Sequence, residues 1–150
     1  MREILFRGKR IDGHRDNTEN GTMLYGSLFI DKKGLPKIKW YDEHFGTSMT
    51  SNVDPETIGQ YTGFVDMNGA KIFEGDVLQL EDDIIGVVYF NHGCFFLTEY
   101  GLRGEWTESG YDECGGGWGV IDREPMHFLH ISKLEVIGNI HDNLELLEVQ

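Results

Sequence analysis

Apolar and polar positions alternate along most of this chain in short runs, and glycine-bearing turn signals separate the runs. ILFR at positions 4–7 alternates and predicts an opening strand. YGSLFI (25–30) and KIKW (37–40) flank the segment DKKGLP and predict a hairpin, with Gly34 free to take the left-handed conformation of its turn. Further strands are predicted at 57–62, at VLQL (77–80), where Leu78 and Leu80 share a face, at IIGVVYF (84–90) and at CFFLT (94–98). Asn68–Gly69 is the strongest short turn signal, because both residues tolerate left-handed backbone. Segments 12–21 and 44–52 are polar and read as irregular.

The C-terminal part breaks this rhythm. Residues 101–119, GLRGEWTESGYDECGGGWG, read as a long acidic, glycine-rich loop, and a loop this long inside a small domain is expected to be either mobile or functional. After the short apolar stretches VID and HFLHI, residues 134–140 read as a last strand. Asp142 predicts a short helix. Its carboxylate suits the free N–H groups of a first turn, Glu145 follows three residues on as in a capping box, and Leu144, Leu146 and Leu147 supply an apolar side. No fixed-period repeat is visible, which excludes a solenoid or propeller.

Composition sharpens this picture. A chain of 150 residues is most simply one domain, residues 1–150, able to bury about two-thirds of its unfolded surface. Twenty glycines suit many tight turns between short strands. Thirteen basic against 26 acidic residues leave a formal net charge of −13, which repels phosphate backbones and disfavours direct nucleic-acid binding. The basic clusters Arg7–Lys9–Arg10 and Lys32–Lys33 with Lys37 and Lys39 read as a solvated strand edge and hairpin. The start, MREILFRGKRIDG, lacks the apolar core of a signal peptide and no apolar run approaches a membrane span, so a cytoplasmic, non-membrane protein is expected. Two cysteines, Cys94 and Cys114, indicate no disulfide framework.

Catalytic chemistry converges nowhere. His92 and Cys94 with Cys114 and His127 or His130 offer zinc-type ligands, but their spacing is loose and lacks close pairs, so no metal and no cofactor is expected. The pairs Asp82–Asp83 and Asp112–Glu113 fit solvated turns as well as acid–base work, and neither cysteine has a nucleophile signature. The run Gly115–Gly117 precedes Trp118, where a phosphate loop would need Lys and then Ser or Thr. Trp106, Tyr111 and Trp118 are residue types that dominate interface energetics, and they mark the candidate binding residues. The leading expectation is thus a non-enzymatic module that binds a protein partner or assembles with itself as a homo-oligomer. The alternative is a regulator of nucleic-acid transactions, either as a small-barrel binder or as an acidic DNA mimic, and a metal-dependent hydrolase ranks below both.

Three segments carry a family resemblance: the opening MREILFRGKR, the block IGQYTGFVDMNGAKIFEGDVL from residue 58 and the tail EVIGNIHDNLELL from residue 135. They resemble the YopX family of phage and prophage proteins, whose block QYTG, then D-x-NG and EGD, is followed by a hairpin and a VIGNIY-type tail. His141 stands where that family usually has Tyr, and Leu144 where a Pro often begins the helix. The resemblance implies a mainly β, small barrel-like fold of short antiparallel strands with a short C-terminal helix, in a protein of a bacterial host's mobile elements. It implies no catalytic residues. Gly63, Gly69 and Gly75 read as turn residues, Asp66 and Asp76 as acceptors for turn amides, and Tyr61, Ile72 and Phe73 as core.

Overall fold

A computed structural model of the chain describes residues 1–12, 20–81, 84–91, 93–100, 120–125 and 133–147. The strands among these are β1 (Phe6–Lys9), β2 (Met23–Ile30), β3 (Pro36–Asp42), β4 (Thr47–Asn52), β5 (Gly59–Val65) and β6 (Lys71–Phe73). They continue with β7 (Asp76–Glu81), β8 (Ile84–Asn91), β9 (Cys94–Tyr100), β10 (Val120–Pro125) and β11 (Glu135–Asn139). One antiparallel sheet runs in the order β4-β3-β2-β1-β5-β6 and the other in the order β10-β9-β8-β7-β11. The chain divides into two compact units, Met1–Gly63 and Phe64–Gln150.

In the first unit, the expected hairpin forms between β2 and β3 with Ser27 opposite Lys39 and Phe29 opposite Lys37. Asp31 shapes its turn: one carboxylate oxygen accepts from the backbone N–H of Lys33 at 2.8 Å and of Leu35 at 2.9 Å. Leu24, Ile38 and Val53 are buried together, with Phe6, Leu28, Trp40 and Ile58 packed against them. Leu24, Leu28, Ile38 and Trp40 occupy the inward positions of β2 and β3, as period-2 alternation requires, while Val53 and Ile58 lie just outside β4 and β5. Residues 47–52, expected to be irregular, form β4 instead, pairing from Thr47 opposite Asp42 to Asn52 opposite Lys37. Their small polar side chains hid a strand whose inward positions are Met49 and the fully buried Ser51, which accepts from Trp40 Nε1 at 3.1 Å.

The expected barrel does not close. Among the described residues both sheets are open, and in the first unit Arg10 and Val53 form an isolated bridge. It is flanked by Asp54 N–H on Lys9 O at 2.8 Å and Ile11 N–H on Asn52 O at 3.0 Å. A barrel needs a continuous staggered ladder around its wall, and one bridged pair does not supply it.

In the second unit, β7 is buried on both faces. Leu78 joins Ile72, Val88, Leu97 and Leu134, while its neighbour Val77 joins Val87 under Ile85, Ile137, Ile140 and Leu146. A central strand covered on both sides reads as a continuous apolar run, which is what VV in β8 and VL in β7 show. The expected C-terminal helix is only a 3-10 turn, Leu144–Leu147. Its lead-in is capped by Asn139, whose Oδ1 accepts from His141 N–H and Asp142 N–H at 2.9 Å each. The Asp142 carboxylate takes the Asn139 side-chain amide at 3.1 Å, so the capping role predicted for it falls to Asn139.

Candidate functional site

The acidic, glycine-rich block at 58–80 is the first place to look for chemistry, and Asp66 is its centre. The chain leaves β5 at Val65 and reverses through Asp66–Ala70, where Asp66 N–H donates to Ala70 O at 2.8 Å. Gly69, at φ +82°, takes a conformation that a β-carbon would strain. One oxygen of the buried Asp66 carboxylate accepts from Asn68 N–H and Ala70 N–H, each at 2.8 Å. The other accepts from Val136 N–H at 2.9 Å, seventy residues on in β11. Met67 N–H on Leu134 O at 2.9 Å and Asn68 Nδ2 on Glu135 Oε1 at 3.3 Å complete the link. The block and the C-terminal tail, the two most recognisable parts of the sequence, are therefore one clasp.

Burial alone would raise the Asp66 pKa, but the amides of Val136, Ala70 and Asn68 outweigh it and hold the carboxyl below the usual range. An anion whose two oxygens are turned toward three backbone donors is a structural acceptor, and it is poorly placed to shuttle protons. Asp76 is buried as well, and its Oδ2 accepts from Phe73 N–H at 2.7 Å across the next turn. Ile140 N–H on Gly75 O at 2.9 Å ties that turn to the tail. In the tail, Gly138 is a matter of space: a β-carbon there would meet Asn143 Oδ1 at 2.6 Å and Leu146 Cδ1 at 2.8 Å. The turn reading of Asp66, Gly69 and Asp76 agrees with the hydrogen bonds described for them.

The remaining sequence candidates divide by location. Trp106, Tyr111 and Trp118 lie outside the described residues, as do Asp82, Asp83, His92, Asp112, Glu113, Cys114, the Gly115–Gly117 run, His127 and His130. Cys94 is a half-buried free thiol at the start of β9. Among the described residues, no group of three or more His, Cys, Asp or Glu could hold a metal ion.

The first unit holds a feature that the sequence reading missed. A groove of about 370 Å³ is lined by Arg10, Thr22, Tyr25, Trp40 and Tyr41, among others. Arg10 is itself buried, and its Nε donates to Asp12 Oδ1 at 3.0 Å, while Asp12 Oδ2 accepts from Asn52 N–H at 2.8 Å. Burial pushes the Asp12 carboxyl up, yet the Asn52 amide and the Arg10 guanidinium bring it below its ordinary value. Tyr25 and Tyr41 continue from the groove onto the outward face of β2–β4, where they are 49% and 62% exposed beside Phe29 at 43%. Lys37 and Lys39 stand on the same face. A signal for this face exists in the sequence: YGSLFI and KIKWY carry apolar residues on both parities, more than one buried face requires.

Two open antiparallel sheets, with a motif block used for turns and an aromatic groove apart from it, define a mainly β protein whose recognisable residues serve architecture. The chain belongs to the YopX family, whose model (YopX protein) matches residues 15–148. No curated protein matches it. Among solved structures it is similar to protein EF1440 from Enterococcus faecalis, at 24% identity and a TM-score of 0.53, with 99% of this chain and 100% of that one covered. That likeness extends to the fold.

Proposed function

We propose that this YopX-family protein is a phage- or prophage-encoded accessory that works in the bacterial cytoplasm as a non-catalytic binding module, docking onto a basic protein partner or onto copies of itself. The observation that carries this reading is the placement of charge. Met1–Gly63 holds nine Lys and Arg and nine Asp and Glu, whereas Phe64–Gln150 holds four against seventeen. The whole formal excess of −13 thus belongs to the second unit. Charge concentrated in this way steers association with oppositely charged surfaces and falls off with salt. The buried Asp66, the acid most prominent in the motif, is engaged by backbone amides, and no described acidic cluster is arranged for a metal. No helix among the described residues is long and apolar enough to cross a membrane.

The test is light scattering on the purified chain at high micromolar concentration, paired with crosslinking in host cells. A complex with a basic protein that dissociates as salt is raised to about 0.5 M, or a complex of the chain with itself that persists as salt screens its like charges, supports the proposal. A strict monomer that crosslinks to no protein contradicts it.

A further inference from the structure

Independently of the acidic unit, we infer that the outward face of β2–β4, together with the Arg10 groove, binds single-stranded nucleic acid. Tyr25, Ser27 and Phe29 line this face on β2, Lys37, Lys39 and Tyr41 on β3, and Ser48 and Thr50 on β4, by the registers Ser27–Lys39, Phe29–Lys37, Lys39–Thr50 and Tyr41–Ser48. No carboxylate stands at any of these positions. Acids border the face instead: Asp31 at the hairpin turn, whose Oδ2 lies 3.8 Å from Lys37 Nζ, and Asp42 at the end of β3. Exposed rings on a sheet offer stacking surfaces to unpaired bases, and lysines between them meet the phosphates. At about 3.3 Å per residue, Tyr25 and Phe29 stand roughly 13 Å apart along β2, which suits a strand with splayed bases. Next to this face, the groove lined by Arg10, Tyr25 and Tyr41 among others receives one planar group beside the Arg10 guanidinium, whose Nε is held by Asp12.

A net charge of −13 argues against such binding only while it is spread over the molecule. The unit that carries this face is charge-balanced, and local fields govern contact within a Debye length of about 8 Å.

The experiment is fluorescence anisotropy of the full chain with a labelled oligothymidylate of about 16 nucleotides at low salt. Micromolar binding is expected, with Tyr41→Ala or Phe29→Ala weakening it about tenfold at an unchanged unfolding midpoint. Replacing Lys37 and Lys39 together by Gln should reduce the salt slope by about 1.4. Absence of binding at about 100 μM overturns the inference. So does binding that ignores both aromatic substitutions, equal affinity for duplex, or equal affinity for free thymidine monophosphate. If the oligonucleotide is not bound and Tyr41→Ala instead abolishes self-association in light scattering, the face is a protein contact and the inference fails.

Discussion

Single residues of the motif carry definite physical duties. Gly138 sits close under two side-chain ends, and a β-carbon there would push aside Asn143 Oδ1, which holds the Asn139 amide, and Leu146 Cδ1. Gly138→Ala is therefore expected to lower stability by about 1–3 kcal/mol in urea unfolding, the range for forcing atoms into a packed site. An unchanged midpoint would mean that the terminal turn yields freely. Asp66 sets a pH dependence. Its carboxyl lies below the ordinary range in the folded chain, so the folded state binds the proton less readily than the unfolded state. Its contribution is complete above the unfolded value, about 3.9, and is lost as the pH falls through the lower folded value. Asp12 acts in the same direction through Asn52 and Arg10. Wild type should thus lose stability more steeply than Asp66→Asn below about pH 4. Parallel acid-unfolding curves for the two proteins would remove Asp66 from this role.

At the level of elements, the alternation of apolar and polar positions located the strands where one face is buried by large side chains, as at YGSLFI and KIKW, while the strand expected at ILFR begins only at Phe6 and runs to Lys9, with Arg7 and Gly8 as its buried positions. It missed β4, since TSMTSN buries small residues and displays hydroxyls. The terminal helix was overestimated because Asp142 looks like a cap in the sequence, whereas Asn139, three residues earlier, takes the amides. Turn chemistry was legible at Asn68–Gly69, but the partner of Asp66 was not. Val136 lies seventy residues away, and no local spacing reveals it. The Tyr25–Tyr41 groove was hidden for a related reason: its walls come from three separate segments that only the fold brings together. Burial also ranks the strands by persistence. Val77, Leu78, Val87 and Val88 are each at most 6% exposed, and their amides should exchange with solvent last, while β4 at its sheet's edge exchanges early. The reverse order in native-state hydrogen exchange would displace the core from β7 and β8.

For the molecule as a whole, two properties stand apart: a clasp that joins the motif block to the tail within Phe64–Gln150, and a charge excess confined to that same unit. Family membership thus follows from residues that build the scaffold, which leaves the binding chemistry to surfaces that the motif does not include. Salt should act accordingly. Raising ionic strength weakens acid-driven association while leaving the clasp, held by short bonds from backbone amides to the buried Asp66 carboxylate, nearly untouched. The central claim is that Asp66 is architectural, and equilibrium urea unfolding of Asp66→Asn tests it most directly. The amide keeps the shape but turns a donor toward Val136 N–H or toward the Asn68 and Ala70 amides, so a drop of about 2 kcal/mol with an unchanged m-value is expected. A midpoint equal to that of wild type would contradict it, and would return Asp66 to the list of residues held for chemistry.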